Sequence, residues 1–236
     1  MSPKDDGLMT NRLFNLGMGG SSCIWREGLP TAAPPAIVNT RLPLMKPDAQ
    51  EIADIQTDLT RLWHEHAPAA SGDGLTCLVT ENHLRNFLLW HEEDIARRDD
   101  LGFERVFHAK RAIDSYNQQR NNFIEEMDAF LTAELNPDLT DCPMNSETPG
   151  MMIDRLSIMA LKEFHMREET LRYDASPDHR ENCSAKLARI IHQRDDLIRC
   201  LDELVAAVAA RTRTFAVYYQ FKMYNDPALN PQLYRK

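Results

Sequence analysis

The stretch TPGMMIDRLSIMALKEFHM, residues Thr148–Met166, has the pattern of a helix with almost no polar face. On a helical wheel its apolar side chains cover three sides, so the helix should lie at the centre of the fold. The same stretch carries four ionisable side chains, Asp154, Arg155, Lys162 and His165. Because a buried charge is costly unless it is paired, these four require polar partners on neighbouring helices.

The rest of the chain predicts further helices around this one. Apolar residues recur at helical spacing in four other segments, and no strand-like alternation bounded by turns separates them. The first predicted helix begins at Pro47. The next three cover about Thr80–Arg98, about Leu101–Leu135 and 149–173. The fifth begins near Arg180, and its pattern runs to Tyr224. We therefore predict an all-α fold, an antiparallel bundle of about five helices with a central apolar helix near 149–173.

Residues 1–47 differ in character from the rest of the chain. They are rich in Gly, Ser and Pro and lack sustained periodicity. Such a composition cannot bury a core, so we expect a mobile or loosely docked N-terminal arm. A single helical-bundle domain over 48–236 is expected to follow it.

Composition argues against several classes of function. The net charge of −9 disfavours binding to nucleic acid or to anionic membranes, because phosphate contacts need clustered Lys and Arg. The five cysteines are odd in number and form no CxxC motif, which favours reduced thiols. The sequence shows neither a signal-peptide pattern nor an apolar run of about 18 residues. We therefore expect a cytoplasmic protein that does not insert into membranes.

The second predicted helix places a histidine where a core leucine would be expected. His91 continues the face formed by Leu84, Leu88 and Ile95, and an adjoining stripe contains His83, Phe87, Trp90 and Asp94. A core histidine with one satisfied hydrogen bond would explain the same pattern.

The third predicted helix has a polar stripe beside its apolar face. That stripe consists of Lys110, Asp114, Asn117, Asn121 and Asp128. A solvated stripe with an i,i+4 pair between Lys110 and Asp114 is the alternative interpretation.

Partly desolvated polar groups on three helices should pair with one another. We therefore predict that His91, Asp114, Asp154 and His165 converge in space. The candidate catalytic residues are His91, Asp154 and His165, with a histidine as acid or base. The candidate ligand-binding residues, among which Arg155 or Lys162 would hold an anion, are Trp90, Asp94, Asp114, Asn117, Asn121, Arg155 and Lys162.

Recognised metal-binding patterns do not occur in the sequence. No Glu is followed by a His three residues later, and there is no His-Glu-x-x-His motif. His64 and His66 would diverge on a helix, and an i,i+4 pair such as His165 and Glu169 often arises by chance. The sequence therefore predicts no metal site and assigns no cofactor.

Four blocks of sequence resemble the bacterial domain-of-unknown-function family 4254. They are ENHLRNFLLWHEEDIARR, AKRAIDSYNQQRNNFIEEMD, TPGMMIDRLSIMALKEFHMREE and QFKMYNDPALNPQLY, in that order, and the resemblance extends over about Ile52–Tyr234. It implies a setting near the assembly of lipopolysaccharide and other surface glycans, because the family's genes tend to lie among glycan genes. It transfers no catalytic residue.

Two functions are compatible with these observations, and the sequence does not decide whether the protein is an enzyme. In the first, the polar cluster lines a pocket that binds or acts on a small polar ligand, a sugar or a sugar phosphate. In the second, the cluster is structural and the protein is a non-catalytic partner of glycan-assembly enzymes or of a second copy of itself. Aromatic side chains near Phe215–Phe221 would then supply a docking face.

Overall fold

The computed structural model describes residues 48–137 and 140–235, and the secondary structure of these residues is helical. They form six α-helices and two short 3₁₀ turns, and they contain no named strand. The predicted arm over 1–47 lies outside the described residues. The helices are α1 (Ala49–Glu65), α2 (Gly74–Ile95), α3 (Phe103–Leu135), α4 (Pro149–Leu171), α5 (Pro177–Ala209) and α6 (Pro231–Tyr234).

Helix α4 is the central helix, as the opening stretch predicts. It packs against α1, α2, α3 and α5. Its side chains Ile153, Leu156 and Leu161 are almost fully buried in one core that receives residues from all five long helices. The helix begins where Thr148 accepts a hydrogen bond from the Met151 N–H at 3.2 Å, a normal N-cap. The all-α bundle with a central apolar helix is therefore confirmed.

Two helical hairpins surround this core. Helices α2 and α3 pack against each other, as do α4 and α5, and each pair is joined by a short connection. Helix α1 lies mainly against α4 and also touches α2 and α5. Consequently the inward faces of α1, α2 and α4 meet, and this is the arrangement that forms the site described below.

Helices α3 and α4 are in close contact at Gly150. A Cβ atom at this position would lie 2.6 Å from the carbonyl oxygen of Ile124, so no larger residue fits without a backbone shift. Asp128 of α3 is buried at the same place. Its Oδ1 accepts a hydrogen bond from the Gly150 N–H at 2.7 Å, and its Oδ2 accepts one from the Thr148 hydroxyl. Burial raises the pKa of Asp128 to about 6, although these hydrogen bonds act in the opposite direction.

The limits of two helices differ from the prediction. Helix α2 begins at Gly74, earlier than Thr80, and α5 covers Pro177–Ala209 and does not extend to Tyr224. The chain leaves α5 because Arg211 adopts a left-handed conformation with φ of 56°. Thr214 then forms an isolated parallel bridge with Met144, which ties the segment after α5 to the connector before α4.

The state of the cysteines departs in part from the prediction of reduced thiols. Cys142, Cys183 and Cys200 are free, but Cys77 is disulfide-bonded. Among the described residues, no helix combines the length and the apolar character needed to cross a membrane.

Candidate functional site

Three histidine side chains from three helices meet at one place. They are His64 of α1, His91 of α2 and His165 of α4. Their ring centroids are separated by 5.2 Å for His64 and His91, 5.0 Å for His64 and His165, and 5.7 Å for His91 and His165. We refer to these three residues as the histidine cluster.

Backbone carbonyl groups hold two of the three rings. The Nδ1 atom of His64 lies 2.6 Å from the carbonyl oxygen of Thr60, and the Nδ1 atom of His91 lies 2.8 Å from that of Phe87. A carbonyl oxygen can only accept, so each Nδ1 carries the hydrogen. In the neutral ring the lone pair then resides on Nε2.

His165 is held in the same way by a carboxylate. Its Nδ1 atom lies 3.0 Å from Oε2 of Glu168, and its ring stacks on Trp90 at 5.0 Å with an interplanar angle of 9°. Burial lowers the pKa of His165, while the hydrogen bond that its Nδ1–H donates to Glu168 opposes that shift. The His165 side chain is 24% exposed as a whole, although its Nε2 atom is buried.

Aromatic side chains enclose the rest of the histidine cluster. Phe164 stacks on His64 at 3.9 Å, and Phe87 lies against His91 at 4.4 Å. Rings packed in this way have few alternative rotamers, so only small movements of the imidazoles are open to them when a ligand binds.

The Nε2 atoms of the cluster are the polar groups that remain available. Those of His64 and His165 are buried and have no hydrogen-bond partner among the described residues. One ligating nitrogen from each of the three rings lies within 4.8 Å of the others. Buried polar atoms are normally paired, so unpaired nitrogens gathered at one place indicate a binding site.

Asp154 belongs to a second and separate polar cluster. Its Oδ1 accepts from the amide groups of Asn82 at 3.0 Å and Asn86 at 2.9 Å, and its Oδ2 accepts from Arg120 Nη1 at 2.8 Å. The residue is only 5% exposed. This network joins α2, α3 and α4 and leaves the carboxylate paired on both oxygens, which is typical of a structural role.

His83 extends that network to α1. Its Nε2 lies 3.0 Å from the hydroxyl of Thr60, and its Nδ1 lies 2.7 Å from the hydroxyl of Ser157. Since the Thr60 hydroxyl donates to the carbonyl oxygen of Gln56, it accepts from His83, and Ser157 donates to Nδ1. His83 is thus a neutral core histidine, and burial lowers its pKa to about 3.

We expect His83 to make the protein sensitive to acid. The unfolded chain binds a proton at this residue near pH 6.5, whereas the folded chain resists protonation until about pH 3. The stabilising contribution is therefore complete above pH 6.5 and decreases as the pH falls, by about 1.4 kcal/mol per pH unit. Asp128, whose pKa is raised, has the opposite effect. Its contribution to the free energy of unfolding increases as the pH falls from about 6 to its ordinary pKa of 3.8.

Urea unfolding of the wild-type protein and of His83→Gln between pH 7.5 and pH 5 isolates this contribution. The difference in unfolding free energy between the wild type and His83→Gln should decrease by about 1.4 kcal/mol per pH unit below pH 6.5. His192→Gln, which replaces an imidazole on the surface of α5, is the control for the substitution itself. A free-energy difference that does not change with pH would contradict the assignment of His83.

The structure brings together two of the four residues that were predicted to converge. His91 and His165 meet in the histidine cluster, while Asp154 lies in the buried network and Asp114 lies on the surface beside Arg111. The predicted convergence of all four is therefore wrong, because the polar stripe of α3 turns toward solvent at Asp114.

The remaining candidates on α2 and α3 occupy different surroundings. Trp90 covers the histidine cluster, whereas Asp94 is exposed. Asn117 accepts from Arg120 Nε at 3.1 Å, and its carbonyl oxygen accepts from Asn121 at 2.8 Å. The two asparagines thus support the Asp154 network and do not reach the histidines.

Arg155 and Lys162 lie on another face of α4, toward α5. Both line a groove of about 530 Å³ between these helices. Arg155 is paired with Glu147, which also lines the groove. These two cations are therefore not part of the histidine cluster.

A second group of ligating side chains joins the end of α4 to the start of α5. His179 Nε2 lies 2.9 Å from Oε2 of Glu169 and 3.4 Å from Sγ of Cys183. Glu169 also pairs with Arg172 at 3.0 Å. Here the polar atoms already have partners, in contrast to the free nitrogens of the histidine cluster.

His64 was not predicted to be a member of the site. The sequence places it beside His66, and local spacing cannot show that a histidine of α1 faces histidines of α2 and α4. The available signal was that His64 lies one turn after Thr60 on the buried side of α1.

Residues 76–217, more than half of the chain, match the family described as Protein of unknown function (DUF4254). The matched region is narrower than the extent suggested by the sequence blocks; it contains His91, Asp154 and His165 but not His64. No curated protein and no solved structure matches the chain. The extent of the family match shows that the chain belongs to DUF4254.

Proposed function

We propose that the histidine cluster is the functional site and that it binds, or acts on, a small polar ligand. The supporting observation is that three imidazoles from three helices converge while two of their Nε2 atoms are buried and unpaired. A purely structural cluster would be expected to satisfy these nitrogens, as the network around His83 does. The partly exposed ring of His165 marks the side from which a ligand would enter.

The ligand class that we propose is a sugar or a sugar phosphate used in surface-glycan biosynthesis. Hydroxyl groups donate to imidazole nitrogens, and the family resemblance suggests a glycan setting. Within the site, His91 and His165 are the candidates for acid or base, since histidine is the side chain that most often transfers protons in enzymes. Asp154 is assigned to positioning the helices, because both of its oxygens are already engaged.

A cytoplasmic location is part of the same proposal. The free thiols of Cys142, Cys183 and Cys200 support it, while the disulfide at Cys77 counts against it. Separation of cell extracts into cytoplasmic and envelope fractions would test this point directly.

Small molecules that co-purify with the protein provide the most direct test of ligand binding. The wild-type protein should carry a ligand that mass spectrometry detects after denaturation, and His91→Ala and His165→Ala should lose it. Asp114→Ala, a change at an exposed carboxylate, should retain it. Titration with monosaccharides and sugar phosphates then identifies the class. Equal ligand content in all four proteins would contradict the proposal.

A role as a non-catalytic partner is the second candidate function. Beyond α5, Tyr219, Phe221 and Tyr224 are strongly exposed aromatic side chains, and Phe221 is 79% exposed. Exposed aromatic residues are typical of the centres of protein interfaces. In this case Phe221→Ser would remove a co-purifying glycan-assembly enzyme, and His165→Ala would leave it bound.

A further inference from the structure

We propose that His64, His91 and His165 together bind one divalent transition-metal ion through their Nε2 atoms, and that Zn²⁺ is the best fit. This inference rests on the proposed function in one respect only, namely that the histidine cluster is the ligand site. It adds the metal as the group that would hold the polar ligand, and the ion would then occupy the Nε2 lone pairs of His91 and His165 in place of an acid or base role for these residues.

The hydrogen bonds on the far side of each ring match those of metal-binding histidines. Such histidines usually donate their other N–H to a carbonyl or carboxylate oxygen, which fixes the ring and directs the lone pair to the metal. All three rings follow this rule. Their acceptors are the Thr60 carbonyl, the Phe87 carbonyl and the Glu168 carboxylate.

The separation of the nitrogens is close to that of a metal site. One ring nitrogen of each histidine lies within 4.8 Å of a ring nitrogen of each of the other two. Tetrahedral Zn²⁺ with Zn–N bonds of 2.0–2.1 Å places its nitrogens about 3.3 Å apart, so each ring would move by less than about 1 Å. Rotation about the side-chain torsions of the three histidines can provide such a shift.

The type of ligand selects the type of metal. Three imidazoles with neither a thiolate nor a carboxylate in the set suit Zn²⁺, Co²⁺, Ni²⁺ or Cu²⁺, whereas Mg²⁺ and Ca²⁺ prefer oxygen ligands. Aromatic side chains on two sides exclude water, which strengthens the attraction between the ion and its ligands.

Three protein ligands leave one tetrahedral position open. Sites with three ligands and an open position bind water or a substrate oxygen, unlike closed structural zinc sites. Neutral imidazoles do not cancel the charge of the ion, so the open position favours an anionic oxygen. Among the proposed ligands, this favours a sugar phosphate over a neutral sugar.

Metal binding can be measured on the full-length chain after removal of metal with a chelator. Calorimetric titration with Zn²⁺ should show one ion bound to the wild-type protein and none of comparable affinity with Mg²⁺. His64→Ala, His91→Ala and His165→Ala should each weaken Zn²⁺ binding by about tenfold or more, and Glu168→Gln by about 10–100-fold. Circular dichroism verifies that each variant is folded.

The group formed by Glu169, His179 and Cys183 supplies the matched control. Cys183→Ser removes the thiol from the second set of potential ligands, and it should leave Zn²⁺ binding unchanged. Co²⁺ bound to the wild-type protein should give a tetrahedral absorption spectrum without a thiolate charge-transfer band. This spectrum tests the ligand set even if a histidine variant fails to fold.

The outcomes separate this inference from the proposed function. Absence of Zn²⁺ binding, or its loss in Cys183→Ser with retention in the three histidine variants, would refute the metal site. If the co-purified small molecule still depends on His91 and His165 in that case, the proposed function stands without a metal. If the histidine variants keep both the metal and the small molecule, the metal site and the proposed function are both refuted.

Discussion

The substitution Leu161→Asp is expected to abolish cooperative folding. Leu161 is 1% exposed and belongs to the core that all five long helices share. A carboxylate at this position would have no partner, and burying it costs several kcal/mol, comparable with the 5–15 kcal/mol that stabilises a typical domain. The variant should show no cooperative thermal transition in circular dichroism and should accumulate in the insoluble fraction.

The neighbouring residue provides a control for this prediction. Lys162 follows directly on α4 and is exposed, so Lys162→Asp introduces the same carboxylate into solvent. It should melt cooperatively with a midpoint close to that of the wild-type protein. A soluble Leu161→Asp variant with a similar midpoint would show that α4 does not organise the core.

The second large effect is expected for Arg120→Ala. This substitution removes the cation that pairs with Asp154 at 2.8 Å and leaves a buried carboxylate with only the amide donors of Asn82 and Asn86. Breaking a buried ion pair from one side typically costs about 3–5 kcal/mol. Urea unfolding near neutral pH should therefore show a large decrease in the midpoint with an unchanged slope.

Arg111→Ala is the matched control, since Arg111 lies on the same helix and pairs with Asp114 where both side chains are exposed. Surface pairs of this kind contribute below about 1 kcal/mol. If the two arginine variants were equally stable, the Asp154 network would not be a structural element of the fold.

The fold was predictable because the apolar pattern of α4 is unambiguous. A helix that is apolar on three sides needs neighbours on three sides, and the bundle follows from this requirement. The end of α5 was not predictable from periodicity, since apolar and aromatic residues continue beyond Ala209. There the left-handed Arg211 and the pairing of Thr214 with Met144 decide the path, and both depend on tertiary contacts.

The candidate site was predictable only in part, for a geometric reason. Helical wheels placed His91 and His165 on inward faces, and the structure brings them together. A helical wheel is a projection along the helix axis and does not show which turns of two helices lie side by side. The same reasoning therefore wrongly placed Asp154 and Asp114 beside the histidines. Arg120 and Asn86 were overlooked because such residues usually lie at the surface, and only their buried partner reveals their role.

The contribution of α1 to the histidine cluster affects how members of the family should be compared. The matched region begins at residue 76, so α1 and His64 precede it. A sequence alignment confined to that region contains two of the three histidines and shows no metal-binding set. Family members should therefore be aligned from the start of α1, where a histidine at the position of His64 would distinguish relatives that retain the complete site from those that have lost it.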